Sequence, residues 1–330
     1  MTYPIFSDKG APIKDLEKRL PGPQENKLDE PEDYHCSPEL EAAVNVSLIM
    51  NQPLLVTGEP GSGKTQLSYK VAHQLNLDIL KFETKSTSMA QDLFYTYNTI
   101  RRFHSANKKE SIDEHDFITY RALGEAILQA NPHSKYEKFF SKNFIHKGPK
   151  RSVVLIDEID KAPLDFPNDI LNEIERMYFK IPQLDTNEEI KAENYRPIVI
   201  MTSNSEKQLP DAFLRRCVFH HIEFPDSNQM TSIVTRRLRR IGEYSTDFIK
   251  AAIELFYELR DKTPLYKKPA TGELLVWINV MRRMAPDEDN PMQNRVIILR
   301  TLGTLIKNVN DIEKANTKVA EWMDRQQIKA

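Results

Sequence analysis

The sequence is poor in cysteine, has no long apolar run and carries almost no excess charge. Its two cysteines, Cys36 and Cys217, are not spaced from a second thiol or a histidine as a zinc site requires. No apolar run approaches the ~20 residues that span a bilayer. The amino terminus has no apolar stretch after a basic start, so we expect no membrane partner and a cytoplasmic location. The formal charge of −2 gives no support for a nucleic-acid partner.

The residue pattern divides the chain into three parts. Residues 1–36 are rich in proline and charged residues and predict an N-terminal extension. Residues 37–225 predict an α/β core, because short apolar runs alternate with helical spacing as in a parallel sheet flanked by helices. Within the core, the stretch of about 85–147 is too long for a simple connection and predicts an insertion. Residues 226–330 have helical spacing throughout and predict a separate α-helical domain.

The element boundaries within the core follow from local signals. Ser37, Pro38 and Glu39 provide an N-cap, a proline in the first turn and an early acid, which predicts a helix to about Met50. Apolar runs predict the strands of the sheet at 53–58, 77–82, 152–157, 197–204 and 220–224.

The strongest motif directly follows the first predicted strand and precedes a predicted helix. It matches the phosphate-binding pattern G-x-x-x-x-G-K-[ST] and consists of Gly58, Glu59, Pro60, Gly61, Ser62, Gly63, Lys64 and Thr65. Glycines let backbone N–H groups converge on phosphate oxygens, and the helix N-terminus adds positive potential. Lys64 is expected to reach the terminal phosphates of ATP, and the Thr65 hydroxyl to ligate Mg²⁺.

Two further strands end in polar residues suited to hydrolysis. The strand at 152–157 ends in Asp157, which is expected to hold Mg²⁺, followed by Glu158, which is expected to activate the attacking water. The next strand ends at Asn204, which could position that water if the two strands are neighbours. An asparagine at a strand end can also simply form a turn.

The segment Leu209–Cys217, with the sequence LPDAFLRRC, carries two adjacent arginines. In an ATPase that works as a ring, Arg215 or Arg216 could reach the γ-phosphate of a neighbouring subunit, as an arginine finger does. The alternative is that both arginines cap a helix or pair with surface acids.

The order of these motifs resembles AAA+ ATPases, and within them the MoxR branch, over about residues 37 to 310. The segment LPDAFLRRC is similar to L-P-E-A-x-L-D-R-F of that branch, which places Arg216 at the finger position and Arg215 where the branch has aspartate. The resemblance implies a P-loop NTPase sheet, the AAA+ core, followed by an α-helical lid. It also implies a hexameric ring that remodels a protein client, often with a von Willebrand factor A domain partner. The long insertion after the second strand also resembles that branch, in which an insert in helix two faces the pore.

The helical region departs from the branch at one position. The branch has a lid arginine in an S-P-R context, whereas KKPATGELL places Glu273 there, and Lys268 is the nearest cation.

Two other polar clusters predict no catalytic site. The histidine pair His220 and His221 alternates in a strand and receives no catalytic role. The run of Arg236, Arg237, Arg239 and Arg240 predicts a solvated or inter-subunit face.

Three functions remain open at this level. The leading one is an ATP-driven protein remodeller or maturation chaperone. A regulatory nucleotide switch needs no complete hydrolytic set, so Glu158, Asn204 and Arg216 together disfavour it. A nucleic-acid motor or a restriction-associated NTPase would need basic grooves with stacking aromatics. GTP specificity is disfavoured because no N-K-x-D follows the loop: the segment Asn107–Glu110 lacks the aspartate.

Overall fold

A computed structural model describes Phe6 and residues 30–108, 112–204 and 209–329, with side chains to Gln326. The described chain forms two compact units. One unit runs from Cys36 to Glu223, and the other combines the described residues before Cys36 with the chain from Phe224 onward. Most of the predicted N-terminal extension lies outside the described residues.

A five-stranded parallel sheet forms the centre of the Cys36–Glu223 unit. Its spatial order is β2-β5-β8-β1-β9. The strands of this sheet are β1 (Leu54–Gly58), β2 (Asp78–Glu83), β5 (Ser152–Asp157), β8 (Ile198–Ser203) and β9 (Val218–Ile222). Two short antiparallel pairs join β3 (Tyr95–Tyr97) to β4 (Ile118–Tyr120) and β6 (Tyr178–Phe179) to β7 (Ile190–Lys191).

The central strands could be predicted from the sequence because they are buried. Every residue of β1, β5 and β8 is buried, since both faces of the sheet are covered, and such strands are almost continuously apolar. The edge strands β2 and β9 are more exposed and more polar. The predicted boundary 220–224 of the last strand is wrong: the strand is Val218–Ile222, because Val218 pairs beside Leu54 at the start of β1.

Helices surround this sheet and connect its strands. They are α1 (Pro38–Met50), α2 (Lys64–Gln74), α3 (Thr99–Asn107), α4 (Ala122–Gln129), α5 (His133–Tyr136), α6 (Phe166–Asp169), α7 (Leu171–Arg176) and α8 (Asp211–Leu214). The Ser37 hydroxyl accepts a hydrogen bond from Leu40 N at 3.2 Å, so α1 has the predicted N-cap. The chain around Ile170 forms two short consecutive helices, α6 and α7.

The segment predicted as an insertion contains two different structures. Helix α4 is almost entirely buried and packs against β2 and β5, so this part belongs to the core of the unit. Helix α3, between β3 and β4, has no buried residue. Leu93, Tyr95 and Ile118, on either side of α3 in sequence, belong to the same buried core as α4, so much of the stretch predicted as an insertion over 85–147 packs in the core and α3 lies outside it. Helix α4 was not assigned to the core because β3, α3 and β4 separate it from β2 in sequence.

The second unit is helical from Ser227 on. Its helices are α9 (Ser227–Leu238), α10 (Thr246–Asp261), α11 (Thr271–Met284), α12 (Arg295–Thr301) and α13 (Val309–Lys329). Their apolar faces enclose a core around Trp277, whose indole N–H donates to Thr301 Oγ1 at 2.9 Å. The predicted class, an α/β core with a parallel sheet followed by a helical region, is confirmed.

The arginine run in this unit has specific contacts rather than one solvated face. Arg237 is buried, and Arg240 pairs with Glu32 at 2.7 Å and with Asp33. These acids lie in or beside a 3-10 turn at Pro31–Asp33. The prediction of a solvated face is therefore wrong for Arg237, which is buried, whereas Arg240 is exposed and pairs with acids of the chain before Cys36. None of the described helices is both long and apolar enough to cross a membrane.

Candidate nucleotide site

The candidate site lies at one edge of the parallel sheet. Strands β5, β8 and β1 are neighbours, and their parallel register brings their carboxyl ends to the same edge. Asp157 ends β5, Ser203 ends β8 and Gly58 ends β1. Ligands of open α/β sheets bind beyond these carboxyl ends. The three predicted motifs therefore meet in space although they are separated by almost 150 residues.

The loop after β1 requires glycine at its turning points. Gly58, Gly61 and Gly63 have φ values of 150°, 79° and 94°, which L side chains rarely adopt. A Cβ on Gly58 would also lie 2.5 Å from the carbonyl oxygen of Ile222. The loop can therefore present its backbone closely to a ligand only because these positions carry no side chain.

Two features of this loop fit a phosphate ligand. Helix α2 begins at Lys64 with no side-chain cap on its N-terminus, so its first N–H groups face the loop and carry positive potential. The buried Ser62 hydroxyl has no hydrogen-bond partner among the described residues. A buried polar atom of this kind normally has a partner, and a phosphate oxygen would provide one.

Lys64 is held inside the loop. Its ammonium donates to the carbonyl oxygens of Gly58 at 2.8 Å and Glu59 at 2.9 Å, and its side chain is buried. Burial lowers the pKa of Lys64, while Asp160 and Glu158 oppose that change. Both partners are neutral carbonyls, and no carboxylate of the described residues forms an ion pair with this ammonium, which suits it to bind phosphate oxygens.

Asp157 is the centre of the polar network. Its Oδ1 accepts hydrogen bonds from the hydroxyls of Thr65 at 2.8 Å and Thr202 at 2.7 Å, and its Oδ2 lies 3.1 Å from Lys81 Nζ. Burial alone would raise the pKa of Asp157, but the hydrogen bonds from Thr202, Lys81 and Thr65 outweigh it and lower the pKa. The carboxylate is therefore kept ionised beside Thr65, as a divalent cation would need.

Glu158 has an unusual backbone conformation. Its φ of 56° and ψ of 54° lie in the left-handed region, which a non-glycine residue adopts only when its surroundings enforce it. The backbone N–H of Glu158 donates to the Thr202 hydroxyl at 2.8 Å. Asn204 Nδ2 donates to Glu158 Oε1 at 3.3 Å, and Lys161 pairs with the other oxygen. The structure thus brings Asn204 to the glutamate, as its predicted role requires.

Arg216 lies far from the loop of its own protomer. Strand β9 runs parallel to β1, with Val218 beside Leu54 and Ile222 beside Gly58. Arg216 precedes β9, so it lies at the amino edge of the sheet, and the length of β1, five residues at about 3.3 Å each, separates the two edges. The structure therefore does not bring Arg216 to the phosphate-binding loop, Glu158 or Asn204 of the same chain.

At the amino edge, Arg216 contacts a carboxylate. Its Nε donates to Glu175 Oε2 at 2.8 Å, and its guanidinium also donates to the carbonyl of Ala212. Arg215 and Arg216 line a cleft of about 460 Å³, with Glu175 and Arg196 among the other lining residues. Both partners of the Arg216–Glu175 pair are exposed, so the pair contributes only about 0–1 kcal/mol and can open.

Glu273, which stands where the MoxR branch has a lid arginine, has a local structural role. Glu273 Oε2 accepts a hydrogen bond from Ala270 N at 2.7 Å and so caps the N-terminus of α11. Lys268 is exposed just before this cap. A carboxylate in a capping box cannot replace the cation that the resemblance expects at this position.

Three residues around Asp157 were not predicted from the sequence. Thr202 precedes Asn204 by two positions, and alternation along a strand puts both side chains on one face, so this spacing was an available signal. Lys81 lies in the predicted strand 77–82 and Glu83 directly follows it, and neither was assigned a role. Nothing in their local sequence indicates contact with Asp157.

Comparisons with known proteins agree with this architecture. The model of the AAA domain (dynein-related subfamily) matches residues 53–217, half of the 330-residue chain. None of the curated proteins compared with the chain matches it. The Holliday junction branch migration motor RuvB of Thermotoga maritima is similar in structure at 15% identity, with a TM-score of 0.47, covering 83% of this chain and 69% of RuvB. A single-residue mutant of that RuvB gives a TM-score of 0.50 at 15% identity, covering 86% and 75%.

The fold and the loop together define a P-loop nucleotide-binding protein. The family match is more specific: the chain belongs to the AAA domain family, in its dynein-related subfamily, and so to the AAA+ ATPases. The MoxR branch is not distinguished by these comparisons.

Proposed function

We propose that the chain binds Mg-ATP at the Gly58–Thr65 loop and hydrolyses it with Glu158 as the general base. The observation that carries this proposal is the continuous network joining Thr65, Asp157, Thr202 and Glu158 through hydrogen bonds of 2.7 to 2.8 Å. This network fixes a phosphate-binding element, a carboxylate for a cation and a second carboxylate for water in one rigid arrangement.

Each side chain has a role that follows from its contacts. Lys64 and the N–H groups at the start of α2 would bind the phosphates, and Thr65 and Asp157 would hold magnesium. When bound, magnesium would neutralise charge on the phosphate oxygens. Glu158 would accept a proton from the attacking water, and the Asn204 amide would orient that water and the carboxylate. The fixed left-handed backbone of Glu158 supports this role because it holds the carboxylate in place.

Nucleotide binding provides the first test. Lys64→Ala is expected to abolish binding of a fluorescent ATP analogue, because the buried ammonium is the side-chain cation held within the loop. Lys150→Ala is the matched control, since Lys150 pairs with Asp78 at the opposite end of the same sheet. Fluorescence anisotropy should show wild-type affinity for the control. Binding by Lys64→Ala at wild-type affinity would remove this loop from the proposed function.

We further propose that the protein works as a ring, as a hexamer, with Arg216 reaching the nucleotide of the next subunit. The position of Arg216 at the edge of the sheet opposite its own loop supports action between subunits. Arg215 is exposed beside it and would contribute to the same cleft. An interface through this cleft would bring a guanidinium to the transferring phosphoryl group.

We propose that the ring remodels a protein client, in the manner of the MoxR-like branch, with a von Willebrand factor A domain protein as one possible type of partner. Helix α3 supports a contact role. Ile100 and Phe103 are 72% and 64% exposed one helical turn apart, and no residue of α3 is buried. Adjacent exposed apolar side chains on a helix are suited to bind another protein.

A substitution on α3 tests this contact. The double variant Ile100→Ser/Phe103→Ser is expected to keep basal ATPase activity and to lose stimulation by a partner, because both side chains point away from the core. The partner would first be identified by mass spectrometry of proteins retained by the full-length protein in ATP. Val296→Ser/Leu299→Ser is the control, since these residues are also exposed one turn apart, on α12 of the other unit. Full stimulation of the α3 variant would place the partner contact elsewhere.

One observation favours a nucleic-acid partner as the second candidate. Helix α3 also carries Arg101 and His104, and Lys108 directly follows it, so basic side chains accompany Phe103 on an exposed surface. Nucleic-acid binding would fall steeply with salt, whereas protein binding through Ile100 and Phe103 would not. Fluorescence anisotropy with labelled single-stranded DNA at two salt concentrations separates these candidates.

A further inference from the structure

Lys81 contacts Asp157, the carboxylate proposed to hold magnesium, at the oxygen that accepts no threonine hydrogen bond. Lys81 Nζ lies 3.1 Å from Asp157 Oδ2 and 2.9 Å from Glu83 Oε1. Thr65 and Thr202 already donate to the other oxygen, Oδ1. Both oxygens of Asp157 therefore have protein donors, and one of these donors carries a full positive charge.

The sheet explains this arrangement. Edge strand β2 pairs with β5 so that Glu83 lies beside Asp157 and Lys81 beside Leu155. Residues two apart in a strand share a face, so Lys81 and Glu83 project together towards the end of β5. The ammonium is shared between a carboxylate whose side chain is 12% exposed and one that is 70% exposed.

The two carboxylates give Lys81 two alternative partners. A divalent cation held by Thr65 and Asp157 would repel an ammonium beside the same carboxylate. Lys81 can move away from Asp157 and still keep its ion pair with Glu83, because Glu83 already accepts a hydrogen bond from it.

We propose that Lys81 is a resident counter-ion of Asp157 that competes with Mg²⁺ for this carboxylate, and that Glu83 receives Lys81 when the metal binds. The proposal rests on the nucleotide-binding function proposed above. Lys81 is thus a positioning residue that sets the Mg²⁺ concentration needed for nucleotide binding. In the protein without nucleotide, the same contact supplies charge compensation for the buried Asp157.

The test measures binding, so that it does not depend on turnover. Fluorescent ADP is titrated with Mg²⁺ in the full-length protein, and the half-saturating Mg²⁺ concentration is recorded. Lys81→Met is expected to lower this concentration roughly tenfold, within the range of about 5- to 150-fold typical of coupled binding. Glu83→Gln is expected to raise it, because Lys81 then has Asp157 alone. Lys81→Arg keeps the charge and should remain near wild type, as should Lys150→Met, which removes a lysine from the distant ion pair with Asp78.

The double variant Lys81→Met/Glu83→Gln separates competition from a general change in charge. If Glu83 acts by accepting Lys81, its substitution has no effect once Lys81 is absent. If both residues only alter the local potential, their effects add. Additive effects, an unchanged Mg²⁺ requirement in Lys81→Met, or a higher requirement in Lys81→Met would each overturn the proposal. Failure of the wild-type protein to bind ADP at any Mg²⁺ concentration would instead contradict the proposed nucleotide function.

Discussion

Arg216→Ala is expected to lower ATP turnover by about 10³–10⁵-fold while leaving nucleotide binding intact, as the loss of an arginine finger does. The side chain lies at the amino edge of the sheet, and its own phosphate-binding loop lies at the carboxyl edge. It therefore cannot contribute to ground-state binding in its own protomer. Turnover is measured by phosphate release, and binding by anisotropy of a fluorescent ATP analogue.

Mixed assemblies test whether Arg216 acts between subunits. Arg216→Ala and Lys64→Ala proteins, each inactive alone, should recover partial activity when combined, because some interfaces then join an intact loop to an intact Arg216. Arg215→Ala is the neighbouring comparison and should show the smaller effect, since the resemblance maps only Arg216 onto the finger. Assembly of both variants into shared rings is verified by differently sized tags. Shared rings without recovered activity would contradict action in trans, and full activity of Arg216→Ala alone would exclude any role in hydrolysis.

Glu158→Gln is expected to retain nucleotide binding and to lose about 10²–10⁴-fold in turnover, the usual contribution of a general base. Glutamine has the same shape and can keep a contact with Asn204, but its amide cannot accept the proton of the attacking water. Thr202 would still accept the backbone N–H of residue 158, so the local backbone is retained. The expected defect is therefore chemical rather than structural.

Single-turnover kinetics checks this prediction, because a defect in chemistry slows phosphate release in a single turnover as well as at steady state. Glu188→Gln provides the control, as Glu188 makes an exposed ion pair with Lys138 on the surface. Undiminished hydrolysis by Glu158→Gln would assign the base to another group. Loss of nucleotide binding would show that Glu158 contributes to the ground-state site.

The sequence alone determined the class of the fold and the position of the phosphate-binding loop. Strands β1, β5 and β8 are buried on both faces, so their residues had to be almost continuously apolar and could be recognised. The loop was recognisable because close approach of its backbone admits only glycine at Gly58, Gly61 and Gly63. Both signals are local: each depends on the immediate neighbours of a residue and survives without knowledge of the tertiary structure.

The tertiary structure decided which distant residues meet. The strand order places β8 between β5 and β1, and this order alone brings Thr202 and Asn204 to Asp157 and Glu158. The pairing of β2 with β5 brings Lys81 to Asp157, which no local pattern in β2 indicates. Parallel pairing of β9 with β1 likewise separates Arg216 from its own loop. These contacts follow from the order and register of the strands. Many strand orders are compatible with the same apolar runs in the sequence. The residues could therefore be recognised individually, but their arrangement could not.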